Sequence, residues 1–219
     1  MSSRKRSGSR YSKKIDIKYF IVSYEGGEDE KSYFESLKDN ISRQFENLVF
    51  FTPVEKSNVH HSSPEHVLRD LEAKASSLNY RFKNDNVFGF IAFDVDHYFS
   101  NNHQKATKSV IREAKQKDIS LLISNPSFDV WPLLHFENIV ELDDDTQNAI
   151  KSNANQFLKK RLKLVLTNNN INLANLINYT EVALQNNQRL AFDLSDPPKQ
   201  IGSSMNLLLE QISPFLIKN

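Results

Sequence analysis

Two apolar runs that each stop at carboxylates constrain this chain more than any other feature. The first, in IKYFIVSYEGGEDE, ends at Glu25 and passes through Gly26 and Gly27 into a segment of helical pattern. The second, in NVFGFIAFDVDHY, ends at Asp94 and Asp96. Strands that are apolar on both faces suit a parallel sheet covered by helices. The ligand crevice of such a sheet lies beyond the carboxyl ends of its strands. Carboxylates gathered there repel one another unless a cation neutralises them, and hard oxygen donors select Mg²⁺ or Mn²⁺. The two runs together point to a metal-dependent phosphoryl-transfer site.

The rest of the chain supports that sheet. After the strand over 17–24, Phe34, Leu37, Ile41 and Phe45 recur at helical spacing. Glu28, Asp29 and Glu30 fall in or near the first turn, where the helix dipole favours acids. Leu48 to Thr52 reads as a short second strand and Pro53 to Ser63 as loop. Ser62 or Ser63 caps a helix that has Pro64 in its first turn and Val67, Leu68, Leu71, Ala75 and Leu78 on its buried side. Val87 to Phe93 is the next strand. A helix holding Ala106, Val110, Ile111 and Ala114 follows, then a strand over Ile119 to Ser124. Asn125-Pro126 reads as the cap and first residue of an amphipathic helix with Phe128, Trp131, Leu134 and His135. This alternation predicts an α/β domain over residues 15–141, a mostly parallel sheet flanked by helices. Residues 146–166, 171–189 and 203–217 read as helical and Asn-rich, which predicts a helical extension over 142–219. Residues 1–14 read as a basic arm.

With 219 residues, 39% hydrophobic and 25% charged, the chain has the composition of an ordinary globular protein. No apolar run approaches the ~20 residues that span a bilayer, and Arg4, Lys5, Arg6 and Arg10 precede no signal-like apolar stretch. The absence of cysteine excludes disulfides and a thiolate zinc site. A cytoplasmic protein that does not engage a membrane is the expectation. The net charge of +1 conceals six bases and no acid over residues 4–14, and four acids and no base over 25–30. The basic arm and the run Lys159, Lys160 and Arg161 with Lys163 read either as solvated charge or as contacts to a nucleic-acid backbone.

Asp94 and Asp96 are spaced i, i+2, so an extended backbone points both to one side, which suits two oxygens on one Mg²⁺. An Asp-rich turn is the competing reading. Glu30 is a helix-start acid or a further ligand. His97 is a substrate contact or an ordinary loop histidine, while His60 and His61 lack zinc spacing and read as solvated. Asp129 reaches the crevice from the first turn of its helix. Phenylalanines are spread through all the predicted elements and read as core.

Several segments resemble the RloB-like family. EGGEDEKSYF is similar to its EGE-x-TE-x-x-YF start, FDVDHY to its D-x-D segment, and SNPSFDVWPLLHF to its SNP-x-FE-x-W-x-LLHF block. PPKQIGSSMNLLLEQI is a weaker match near the end. Asp129 stands where the family usually has Glu, and Glu30 follows Asp29 where the family often has Thr-Glu. The resemblance implies a Toprim-like domain, phosphodiester cleavage in RNA or DNA during antiphage defence, and commonly an AAA-type ATPase partner. It makes Glu25 the proton-transfer or metal-organising carboxylate and Asp94 and Asp96 the ligands of Mg²⁺ or Mn²⁺. A non-catalytic subunit docked on an ATPase is the second reading and nucleotidyl transfer the third. A homo-oligomer is compatible with each.

Overall fold

The computed structural model describes residues 16–58, 63–82, 86–100, 102–194 and 197–217. The predicted basic arm, His60 and His61 lie outside them. Strand β1 (Lys18–Tyr24) is followed by helix α1 (Glu28–Asp39), β2 (Val49–Val54), α2 (Pro64–Ser77), β3 (Val87–Asp94), the single turn α3 (Val95–Tyr98), α4 (Gln104–Gln116) and β4 (Ile119–Asn125). These four strands are mutually parallel in the order β2-β1-β3-β4. All of their carboxyl ends therefore share one edge.

Each strand divides its side chains between two cores, as period-2 alternation requires. Phe20, Val22, Tyr24, Phe90, Ala92 and Leu122 pack on one face with Tyr33, Phe34 and Leu37 of α1. Ile21, Ile91, Phe93, Leu121 and Ile123 pack on the other with α2 and α4. The sheet is thus doubly wound, and strand order reverses between β1 and β3. Ser63 caps α2 as expected, accepting a hydrogen bond from the His66 amide, with Pro64 at the first helical position. The predicted phenylalanine core is present in Phe20, Phe34, Phe51, Phe90, Phe93 and Phe128, all buried.

Beyond β4 come α5 (Val130–Leu133), α6 (Asp144–Ser152), α7 (Phe157–Asn169), α8 (Thr180–Arg189), the two-residue strand β5 (Gly202–Ser203) and α9 (Asn206–Ile212). Ile150, Leu158, Leu176, Ala183, Leu208 and Leu209 complete the core over α1. Among the described residues no helix is long and apolar enough to cross a membrane.

Four local expectations are corrected. Strand β2 runs on through Pro53, which the edge position permits because one side of an edge strand needs no amide donors. The helix expected over 146–166 breaks at Asn153, Asn155 and Gln156, which take left-handed backbone with φ of 46°, 54° and 58°. Asparagine tolerates that conformation better than most residues. The C-terminal region is not wholly helical, since β5 pairs antiparallel with β4 through Ser124–Ser203 and Asn125–Gly202. Finally, Asn125-Pro126 does not open a helix. Asn125 ends β4, its bond to Pro126 is cis, and α5 starts only at Val130.

Candidate active site

Glu25 is the first residue beyond β1 and Asp94 the last of β3, so neighbouring strand ends at the reversal point set them side by side. The Glu25 amide donates to the Ala92 carbonyl at 3.0 Å, continuing the β1–β3 ladder by one residue. The Asp94 amide in turn donates to Glu25 Oε2 at 3.0 Å. Two residues 69 apart in sequence are thereby joined, the Glu25 carboxylate accepting from the Asp94 main chain.

Asp96 joins them by a different route from the one expected. The pair does not lie on extended backbone, because the chain turns helical at Val95 and Asp96 belongs to α3. Its amide donates to the Pro126 carbonyl at 3.1 Å. The cis Asn125-Pro126 turn thus anchors the D-x-D segment, and Asn125 itself donates to the Gln200 carbonyl at 2.7 Å. Asp96 remains exposed yet acts electrostatically on both Glu25 and Asp94.

Two further carboxylates close the group. Glu30, in the first turn of α1, folds back over Gly26, where an added Cβ would overlap its carboxylate. Asp129 stands just before α5 and acts electrostatically on Glu30 and Asp94, as Asp96 does on it. Burial and mutual repulsion mark all four partly buried members. Burial pushes Glu25 up to about 8, with Glu30 and Asp96 adding to it. Glu30 rises to about 7 through burial and then the Asp129 and Asp29 charges. Asp129 rises to about 6, burial first and Asp29 second, with Lys159 opposing. Asp94 is held well above the usual carboxylate range by burial and then by Glu25, Glu30, Asp96 and Asp129.

The 19–212 stretch matches the model of the RloB-like protein family, which is most of the chain. The chain belongs to the RloB-like protein family. No curated protein and no solved structure matches it. In this family member, therefore, the roles of individual residues rest on geometry.

Among the described residues no three carboxylate or imidazole side chains converge as a ready-made cage for a metal ion. Glu25 spends one oxygen on the Asp94 amide, and Asp96 sits at the open rim. That pattern suits Mg²⁺ better than an ion that needs an all-protein shell. Mg²⁺ keeps several waters and is usually held by one or two carboxylates together with substrate phosphate. The donor set is wholly hard oxygen, and burial first and mutual repulsion second raise its proton affinities. Oxygen donors of this kind could hold a divalent cation, with Asp94 and Asp96 as the candidate donors and Glu25 and Glu30 behind them.

The basic candidates part company. Consecutive helical residues point about 100° apart, so three in a row cannot share one surface. Lys159 turns to the cluster and pairs with Asp29 at 3.2 Å, whereas Arg161 pairs with Glu137 at 2.6 Å. Lys160 faces solvent. His97 falls within α3, but its side chain lies outside what is described. A cation missed in the sequence is Lys56, whose charge lowers the proton affinity of both Glu25 and Glu30. It stands two residues beyond β2, at the same sheet edge, and ending β2 at Thr52 hid that signal.

The block that most resembles the family proves mainly architectural. Trp131 and His135 are buried, their rings meet edge to face at 5.3 Å, and burial lowers His135 to about 4. Ser203 and Ser204, in the weaker C-terminal match, are also structural. Ser204 Oγ accepts from the Ile123 amide at 2.7 Å and donates to the Leu121 carbonyl at 2.8 Å.

Proposed function

We propose that this RloB-like protein is a Mg²⁺- or Mn²⁺-dependent nuclease that hydrolyses phosphodiester bonds in RNA or DNA. The observation that carries the reading is the Glu25–Asp94 hydrogen bond at the strand-order reversal, which brings two partly buried acidic residues together at the carboxyl edge of the sheet. A divalent ion bound there would polarise the phosphoryl oxygen and acidify an attacking water. Asp94 and Asp96 would hold it, Asp94 from a fixed strand end and Asp96 from the rim where substrate arrives.

Hydrolysis forms a bond from water oxygen to phosphorus, breaks the bond to the bridging oxygen, and moves a proton from the first oxygen to the second. A group near neutral pKa exchanges protons most effectively at physiological pH. Glu25, fixed at the strand end by the Asp94 amide, is the carboxyl group placed to do so. Lys56 and Lys159, at the edges of the cluster, would offset part of the phosphate charge. Family membership supports the further expectations of a role in bacterial antiphage defence and of an AAA-type ATPase partner.

The test incubates purified protein with transfer RNA, single-stranded RNA and duplex DNA, with Mg²⁺, Mn²⁺ or EDTA. Cleavage of one of them with a divalent ion, lost in both Glu25→Gln and Asp94→Asn proteins that still melt cooperatively, is expected. Cleavage retained by both variants overturns the proposal.

A further inference from the structure

Helices α1 and α7 border an open cavity of about 800 Å³ beside the carboxylate cluster. The Asp29–Lys159 ion pair lines it and also borders the cluster, since Lys159 acts on Asp129 and Glu30. Two i, i+4 pairs from α7 reach it. Leu162 and Leu166 supply an apolar wall, and Lys159 and Lys163 a cationic one. Ile171 and Leu173, beyond the helix end, extend the apolar part. An apolar strip set among charged and polar groups suits an amphipathic ligand, and the volume lies within the usual range of about 300–1,000 Å³.

We propose that this cavity is a subsite for one unpaired nucleotide of the substrate strand, adjoining the bond that the cluster cleaves. The proposal rests on the nuclease reading and narrows the substrate to one with an unstacked nucleotide. Lys163 is exposed and one helical turn from Lys159, so it takes the phosphate on the side away from the acids. The base lies against Leu162 and Leu166. Thr167 and Asn170 offer hydrogen bonds to its edge. A base still stacked in a duplex has no free face to lay against Leu162 and Leu166, whereas one in a loop, bulge or end has. Glu28 and Asp29 on the α1 side disfavour a wholly anionic occupant, which a nucleotide with an uncharged base is not.

The test is fluorescence anisotropy of the full chain in EDTA, with labelled single-stranded and duplex oligonucleotides of equal length, in ribo and deoxyribo forms. Thr167→Trp fills the cavity from an exposed position. It is expected to weaken single-strand binding by about tenfold while leaving duplex binding and melting unchanged. Lys163→Gln is expected to lower the salt-dependence slope for the single strand by about one. Wild-type protein that binds no single strand, Thr167→Trp protein that binds it normally, or equal loss for both forms overturns the subsite. Because nothing is cleaved in EDTA, single-strand binding that responds to Thr167→Trp would stand even if Asp94→Asn protein still cut. The nuclease reading alone would then fall.

Discussion

Two buried polar regions flank the end of β4, and they solve opposite problems. Around β5 the polar groups of Ser203 are answered by neighbouring side chains. Asn187 donates to the Ser203 carbonyl at 2.7 Å and accepts its amide at 3.0 Å, and Ser124 and Ser203 share a hydroxyl hydrogen bond of 2.9 Å. At the carboxyl edge, five acids gather with Lys56 and Lys159 as the cations that act on them. A closed hydrogen-bond network specifies structure. A set of acids drawn together by the backbone, four of them with raised proton affinity, is the arrangement expected of a ligand site. The difference separates the two resembling serine and acid motifs into scaffold and chemistry.

The largest contrast is catalytic. Glu25→Gln keeps an oxygen for the Asp94 amide and should still lower cleavage by about 10²–10⁴-fold, the scale of a general acid or base. Asn187→Ala should do the reverse. It strips both main-chain groups of Ser203 of their buried partner and should destabilise the fold by about 2–5 kcal/mol in urea denaturation. If Asn187→Ala instead abolished cleavage without loss of stability, the division would be broken.

The pH dependence sharpens the same contrast. Glu25 rises from 4.5 to about 8 on folding. Between those limits the folded protein holds more protons than the unfolded chain, so metal-free stability falls as pH rises through that window. Asp94 and Glu30 shift in the same direction and steepen the fall. Melting curves in EDTA across the window should show this decline, and Asp94→Asn should flatten it. Stability that rises with pH there would contradict the assignment.

Smaller effects should come from the edges of the cluster. Gly26→Ala must displace the Glu30 carboxylate that lies over it and should weaken Mg²⁺ affinity by up to about tenfold. Lys159→Gln breaks an exposed ion pair and should change stability by no more than about 0.5 kcal/mol. The loss of its charge should raise Asp129 further, readable by carboxyl NMR titration.

How far this was legible in the sequence depends on range. Glu25 and Asp94 were readable because an apolar run that stops at an acid marks a strand end, and parallel strands put those ends on one edge. Asp96 was assigned to the right neighbourhood with the wrong backbone, since the strand-to-helix switch at Val95 leaves no mark in residue type. Glu30 looked like an ordinary helix-start acid. Its return over Gly26 depends on a missing Cβ and becomes visible only in three dimensions. The separation of Lys159 from Arg161 follows from helical geometry, but their partners Asp29 and Glu137 come from distant segments. Strand β5 is two residues held by side-chain hydrogen bonds from Asn187, too short for any pattern to announce.

The proposed nuclease depends on the carboxylate cluster taking up a divalent cation. Isothermal titration of Mg²⁺ into the protein near neutral pH, repeated in buffers of differing ionisation enthalpy, measures binding and proton release together. The account predicts a bound ion that expels protons from the cluster, with both signals lost in Asp94→Asn. Absence of binding, or binding without proton release that Asp94→Asn leaves untouched, would contradict it.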